Sequence, residues 1–226
     1  IGNNDMFVEL AGGFGSAKLG RSTDPVFATI QTANSTKGVT GFTSRNGTLD
    51  GNGVYIANQV LYTTPVVSGL SAQISYGASE LVNTKANTGY SVNYAAGPLS
   101  LGFASSTINN VGASGAAAVP AYTSLGKTVT ALSGSYDAGV AKFFLTGTNR
   151  SEGKSSYNLG VNVPMGAGQV WADYTSNMAN DTASTQLGYK YSLSKRTTAY
   201  AQVGIKRVGA TSTTATTNSN GYGVGL

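Results

Sequence analysis

The side chains that could do chemistry in this chain are scattered polar groups, and their types exclude most catalytic mechanisms. The 226 residues include no histidine and no cysteine, with 14 lysine and arginine against 9 aspartate and glutamate residues. Without histidine, the commonest general base and metal ligand is missing and an ordinary Ser-His-Asp system cannot form. Without cysteine, there is no disulfide framework or thiolate metal site. The carboxylates follow no calcium-loop pattern, so we expect no catalytic residue, no metal and no cofactor.

The polar side chains instead recur at every second position of short segments. In residues 70–76, Ser71, Gln73 and Ser75 alternate with apolar residues, and residues 90–94 and 157–163 repeat the pattern. A period of two places one set on one face of a β-strand, which fits a soluble sandwich and a membrane barrel equally well. In a barrel the polar set faces water, since a charge at the lipid midplane costs about 2–4 kcal/mol. This parity predicts the following pore-lining residues: Gln59, Gln73, Asn93, Lys142, Asn158, Asn162, Asp173, Gln186 and Lys190.

Composition favours a barrel with lipid outside and water inside. Charged residues make up 10% of the chain, against roughly 25% in an ordinary soluble domain, and the mean hydropathy is close to zero. No apolar run approaches the ~18 residues of a membrane-spanning helix. The net charge of +5 is spread along the chain and forms no basic stripe, so nucleic acid is not an expected partner.

The connections between the predicted strands alternate strictly between tight and long. Short periplasmic turns and long outer loops give an outer-membrane barrel this asymmetry. The tight connections are 63–65, 96–98, 137–139, 164–166 and 192–195, and the long ones are 79–88, 106–127, 149–155, 176–184 and 208–220.

Tyrosine placement favours the barrel over the sandwich. Four tyrosines precede tight turns and four others lie nearer the opposite strand ends, which predicts two arcs of an aromatic girdle at the membrane–water boundaries. A sandwich gives no reason to place tyrosine at one rim. The first set is Tyr62, Tyr94, Tyr136 and Tyr191, and the second is Tyr76, Tyr90, Tyr157 and Tyr174.

The alternation predicts thirteen strands. They cover residues 6–10, 14–20, 53–62, 70–78, 89–95, 99–106, 128–136, 140–148, 156–163, 169–175, 185–191, 197–206 and 221–226. Bacterial single-chain barrels use an even number of strands, and an open edge in lipid is not viable. We therefore expect an odd number of strands to be missing from the sequence.

The longest connection, residues 21–52, breaks the regular pattern. It shows no strand alternation and carries Asp24, Lys37, Arg45 and Asp50. Long loops in compact proteins are usually functional or disordered. Folded into the lumen, this loop would narrow the channel and set its size and charge cut-off, and the alternative is an outer loop in solvent.

Several segments carry a family resemblance. Phe7-Val8-Glu9-Leu10, followed by residues 13–21 with their Leu19-Gly20-Arg21 ending, is similar to the strand pair before the constriction loop of Gram-negative general porins of the β-proteobacterial type. The segment 191–197, with its Leu-Ser-Lys-Arg-Thr stretch, resembles the last periplasmic turn. Residues 58–65 with 68–70 resemble the strand and turn after the loop, and 221–226 the start of the final strand. The resemblance spans nearly the whole chain.

The resemblance implies an all-β transmembrane antiparallel barrel, sixteen-stranded in the full protein, of which about thirteen strands are represented here. Residues 1–226 would form one barrel domain, with N-terminal strands and the end of the last strand absent, and 21–52 would be the lumen constriction loop. The family assembles as a homotrimer in the outer membrane. Expected partners are outer-membrane lipid and lipopolysaccharide, and the expected cargo is ions and small hydrophilic solutes.

The constriction is predicted from the same resemblance. Its candidate residues are Arg21, Asp24, Lys37, Arg45, Asp50 and Tyr55. Asn4 and Tyr55 stand where relatives often have arginine, which leaves only a mild anion preference as the expected selectivity. Rings of charge at a constriction bias which ions enter.

The expected function is passive diffusion through a water-filled pore. The alternative from another class is a soluble or surface-exposed β-sandwich that binds sugars or adhesive partners, and a third is a barrel of other purpose, such as an outer-membrane enzyme or a plugged transporter. The segment Gly12-Gly13-Phe14-Gly15 lacks the following helix and spaced third glycine of a phosphate-binding loop.

Overall fold

Thirteen β-strands and one α-helix make up the part of the chain that the structure describes. The structure is a computed structural model and describes residues 5–36, 55–79, 85–109, 127–151, 155–178, 181–209 and 217–225. Among those residues, no helix combines the length and the apolar character needed to cross a membrane.

All thirteen predicted strands are confirmed, with ends that shift by a few residues. The helix α1 lies between β2 and β3. The bounds are β1 Met6–Gly12, β2 Gly15–Thr23, α1 Pro25–Thr32, β3 Tyr55–Thr63, β4 Leu70–Gly77, β5 Asn87–Ala96, β6 Leu99–Ile108, β7 Lys127–Asp137, β8 Lys142–Arg150, β9 Ser155–Met165, β10 Gly168–Asn177, β11 Thr182–Ser192, β12 Thr198–Val208 and β13 Thr217–Gly225.

The strands form one antiparallel sheet whose order follows the sequence from β1 to β13. Each strand therefore pairs with its neighbours along the chain, as hairpins joined in series require. The contacts divide the chain into two compact units. The first contains β1 to β6 with α1, and the second contains β9 to β13, while β7 and β8 are each divided between them.

In the first unit the sheet is apolar on its exposed face and polar on its buried face. Val60, Ile74 and Phe103 are exposed, whereas Gln59 and Ser91 are buried. This polarity is the reverse of a soluble sandwich, which buries its apolar face. It suits a sheet with lipid on one side and a hydrated interior on the other.

The second unit repeats the reversed polarity. Leu159, Leu187 and Val203 are exposed. Asn158 and Gln186 are buried on the opposite parity of their strands. We call the two sides of each unit the polar face and the apolar face.

Aromatic side chains cluster toward the predicted outer-loop ends of the strands. In the second unit, the rings of Tyr157 and Tyr174 lie 5.9 Å apart. In the first, Tyr90 and Phe103 lie 6.1 Å apart. Tilted pairs at such distances contribute about 0.5–1.5 kcal/mol beyond their buried area, and they stand where an interfacial girdle is expected.

The helix α1 opens the connection after β2, where the sequence analysis found no regular element. Asp24 and Pro25 are the reason: the Asp24 carboxylate accepts hydrogen bonds from the backbone N–H groups of Val26 at 2.9 Å and Phe27 at 3.3 Å. Aspartate at the N-cap with proline at the first helical position is a strong helix start. Val26 and Ile30, four residues apart, give the helix its buried side.

Candidate functional site: a polar face covered by a helix

Rows of small and polar side chains cross β4, β5 and β6 on the polar face of the first unit. Ser75 pairs in register with Gly89, and Gly89 pairs with Ser106. The next row runs from Gln73 through Ser91 to Ala104. Directly paired residues share one face of a sheet. These rows therefore form a shallow surface with few long side chains.

The helix α1 packs on this surface through its first turn at Gly89. A Cβ atom built on Gly89 would lie 2.6 Å from Ser106 Oγ, 2.9 Å from Ser75 Oγ and 3.2 Å from Pro25 Cγ. Carbon and oxygen atoms do not approach that closely in packed interiors. The absence of a side chain at residue 89 is thus what lets Pro25 reach the sheet.

The last turn of α1 packs in the same way beside Gly102. A Cβ atom built there would lie 2.7 Å from Ser133 Oγ and 2.9 Å from Thr29 Cγ2. The hydroxyl oxygens of Thr32 and Ser133 lie 3.0 Å apart, within hydrogen-bonding distance. The helix is therefore attached to the polar face at both of its ends.

Asp24 combines a helix cap with a buried carboxyl group. Its side chain is only 2% exposed. Burial raises the pKa of the Asp24 carboxyl to about 6, against the hydrogen bonds from Val26 and Phe27 that favour its ionised form. Asp24 therefore anchors α1 and gives its docking a dependence on pH.

A second attachment, within the second unit, holds the residues that follow α1. Ser35 donates a hydrogen bond of 2.7 Å to Asp173 Oδ2, and Asn158 Nδ2 donates to the same oxygen at 2.8 Å. Thr175 donates to Asp173 Oδ1 at 3.3 Å. Three neutral donors thus satisfy one buried carboxylate, as burial of a charge requires. A Cβ atom on Gly160 would lie 2.5 Å from Ser35 Oγ, so this site too depends on a glycine.

The structure places all nine predicted pore-lining residues on the polar-face parity of their strands. Lys142 and Lys190 are half-buried there, and the Lys142 ammonium lies 5.7 Å from the centre of the Phe144 ring. The buried members are Gln59, Asn158, Asn162, Asp173 and Gln186, and the half-buried ones are Gln73, Asn93, Lys142 and Lys190.

Arg21 and Tyr55 lie together, but not on the polar face. Arg21 pairs in register with Met6, which is 56% exposed on the apolar side. Its guanidinium lies 5.7 Å from the centre of the Tyr55 ring, at cation–π distance. Arg21 and Tyr55 thus lie on the same apolar side of the sheet as the exposed Leu19. The neighbouring Ser22 instead faces the polar side, where its hydroxyl donates a hydrogen bond of 2.6 Å to Gln59 Oε1. Because both side chains lie on the apolar side, we leave Arg21 and Tyr55 out of the constriction proposed below. The other constriction candidates, Lys37, Arg45 and Asp50, lie outside the described residues.

Three described cations that the sequence reasoning missed stand on the polar parity, and one of them, Lys18 of β2, lies opposite Glu9. Arg150, at the end of β8, is 3% exposed, and Lys206 of β12 is half-buried opposite Ser184. Both lie at strand ends. Arg150 falls in the predicted long connection 149–155, and Lys206 is the last residue of the predicted strand 197–206. Extending the alternation from Lys142 by whole steps of two would have reached Arg150.

Outward apolar strands, an inward polar face and a helical connection seated on that face define an outer-membrane β-barrel channel. Residues 2–225 match the family model of the Gram-negative porins. The chain belongs to this family, and it is an outer-membrane channel for passive diffusion. The family and the fold are those of a channel rather than an enzyme.

Solved structures agree on the fold. The chain is similar to an anion-selective porin from Comamonas acidovorans with 26% identity and a TM-score of 0.66, covering 95% of this chain and 71% of that one. A loop-deletion mutant of the outer membrane protein OmpT of Vibrio cholerae is 15% identical with a TM-score of 0.67, and the match covers 96% of this chain and 76% of that one. OmpF of Salmonella typhi is 14% identical with a TM-score of 0.64, and the match covers 84% of this chain and 66% of that one. No curated protein sequence matched the chain.

Proposed function

We propose that the connection after β2, residues 24–52 of the predicted 21–52 loop, is the constriction of this channel and that its first part, residues 24–36, is fixed against the channel wall. The observation that carries the proposal is the seat of α1 on a glycine and serine surface of the polar face. A helix that covers part of the water-facing side takes space from the lumen. The cut-off for solutes is then set by how firmly the helix stays in place.

The proposed lumen wall consists of the nine polar-face residues from Gln59 to Lys190 together with Arg150 and Lys206. Small hydrophilic solutes would pass over amides and hydroxyls, which exchange hydrogen bonds with water at little cost. Among the constriction candidates, Asp24 acts through the helix that it caps, whereas Lys37, Arg45 and Asp50 stay predictions.

A mild anion preference is the proposed selectivity. Two carboxylates of this face, Asp24 and Asp173, are buried and bound to donors of the loop or wall, so they offer little field to a passing ion. A third, Glu9 of β1, is exposed and pairs in register with Lys18 of β2, which offsets its charge. Lys142 and Lys190 are half-buried and bring positive charge near the path. The Comamonas acidovorans relative is described as an anion-selective porin, which supports the same direction.

We further propose that three copies assemble as a homotrimer in contact with outer-membrane lipid and lipopolysaccharide. The exposed leucine, isoleucine and valine side chains of the apolar face suit either lipid or another copy. The sixteen-strand barrel and the single barrel domain are part of this proposal.

The reversal potential in a salt gradient tests the selectivity. We expect the porin in a planar bilayer to favour chloride over potassium mildly, with a preference that shrinks as salt screens the wall charges. Lys142→Gln should lower the preference, because that charge faces the polar side. Lys195→Gln removes an exposed charge of a tight turn and should change it less. A clear cation preference of the unmodified channel would reject the proposal.

A further inference from the structure

A polar recess lies on the polar face of the second unit, beside two tight turns. It has a volume of about 470 Å³ and is lined by Pro164, Gln169, Lys190, Ser192 and Thr198 among others. Pro164 pairs with Gln169, and Gln169 pairs with Lys190, in one row across β9, β10 and β11. Ser192 pairs with Thr198 one step nearer the turn. The recess is therefore built from neighbouring rows of a regular sheet.

The chemistry of the lining suits an anion. Lys190 brings an ammonium group with three donors, Gln169 an amide donor, and Ser192 and Thr198 hydroxyl donors. Its lining, as far as the structure describes it, includes no carboxylate. A charge-assisted hydrogen bond from an ammonium to an oxyanion is about twice as strong as a neutral one. An anion thus gains both charge and hydrogen-bond partners there.

The surroundings add to the positive potential. Lys195 and Arg196 are exposed on the turn between β11 and β12 that borders the recess. The Ser194 hydroxyl oxygen accepts hydrogen bonds of 3.1 Å from the backbone N–H groups of Arg196 and Thr197, which fix this turn. Clustered like charges raise the local concentration of the opposite ion.

We propose that this recess, which we call the short-turn recess, is a binding site for a small organic anion that carries a carboxylate or phosphate group. The recess is larger than an inorganic oxyanion needs and falls in the usual range of small-molecule sites, about 300–1,000 Å³. Lys190 binds the oxyanion, and Gln169 and the two hydroxyls orient it. The inference rests on the proposed channel function. It adds that small organic anions bind transiently at the channel entrance bordered by the short turns.

The chain has a natural reporter for this site. Trp171 is the one tryptophan of the sequence. It pairs with Gly188 on the polar face, two residues from Gln169 and in the row next to Lys190. A Cβ atom on Gly188 would lie 2.6 Å from the indole, so the ring lies directly against the backbone of β11. Binding at the short-turn recess should change the emission of Trp171.

The experiment titrates the folded porin in detergent with succinate and, separately, with glycerol 3-phosphate while Trp171 fluorescence is recorded. Both probes should bind saturably and reduce the single-channel current at the same concentrations. Lys190→Gln should weaken binding about tenfold, the loss expected for one charge-assisted hydrogen bond. Lys190→Arg should retain it. If one probe alone binds, the class narrows to carboxylates or to phosphates.

Lys142→Gln is the matched control, because it removes the same charge from the same face outside the short-turn recess. Equal weakening by Lys142→Gln and Lys190→Gln would show a general field and overturn the site. Absence of saturable binding by a channel of ordinary conductance would also overturn the site while leaving the channel function intact. A bilayer that stays silent with folded protein would instead reject the channel function.

Discussion

Replacing Gly89 with valine is expected to lift α1 from the polar face and widen the channel. The new Cβ atom alone would sit 2.6 Å from Ser106 Oγ and 3.2 Å from Pro25 Cγ, and the two γ-methyl groups would need further space. The strand pairings of Gly89 hold its backbone between β4 and β6. The helix takes no part in the strand pairing of the sheet and is held there by side-chain contacts at Gly89 and Gly102. We therefore expect the helix, rather than the strand, to move.

Two measurements report the effect of Gly89→Val. Overpacking should lower the free energy of unfolding by about 1–3 kcal/mol. The single-channel conductance should rise, and neutral polymers too large for the unmodified channel should enter.

Gly147→Val is the matched control for this substitution. Nothing lies within 4 Å of a Cβ atom built on Gly147 in β8, so valine should fit there without cost and leave conductance unchanged. If the folded Gly89→Val channel conducts and excludes polymers as the unmodified one does, α1 does not restrict the pore.

Replacing Asp24 with asparagine is expected to remove most of the pH dependence of helix docking. Asparagine is as good an N-cap as aspartate, because its side-chain oxygen accepts the same hydrogen bonds from the first turn. It cannot ionise, however, and so escapes the cost of a buried charge. The variant separates the capping role of residue 24 from its titration.

The direction in which stability changes with pH follows from the pKa of Asp24, which burial raises from 3.8 to about 6. The folded protein holds this proton more tightly than the unfolded chain does. The stability due to the protonated carboxyl is therefore fully present below pH 3.8 and is lost as the pH rises through about 6. A shift of this size corresponds to about 3 kcal/mol.

Urea unfolding of the porin in vesicles between pH 4 and pH 8 measures the effect. The free energy of unfolding of Asp24→Asn, minus that of the unmodified protein, should grow toward about 3 kcal/mol as the pH rises. Asp24→Ala should lie about 1 kcal/mol below Asp24→Asn at every pH, because it lacks the cap. A difference between Asp24→Asn and the unmodified protein that stays constant with pH would contradict the buried carboxyl.

The sheet could be predicted from the sequence because its physics is local. Alternation with period two fixes which side chains share a face, and every strand that alternation predicts is present. Regular hairpins in series also fix the strand order without further information. Ser75 and Gln186, far apart in the chain, were therefore assigned to the polar face by the same reasoning.

The helix and its seat depend on contacts that no local pattern reports. Asp24-Pro25 is a helix start, but a helix of eight residues is marginal alone and needs tertiary packing. Its packing comes from Gly89 and Gly102 on distant strands. Arg21 shows the limit of a resemblance, since the family likeness points to the lumen whereas the pairing of Arg21 with Met6 lies on the apolar side.

A disulfide between positions 32 and 133 tests most directly whether the conducting channel holds α1 on its polar face. The hydroxyl oxygens of Thr32 and Ser133 are 3.0 Å apart, close enough for cysteines at both positions to bond. The chain has no other cysteine. We predict that Thr32→Cys with Ser133→Cys forms this disulfide and that the oxidised and reduced channels conduct equally. Failure to cross-link, or a large change in conductance on reduction, would contradict the seated helix.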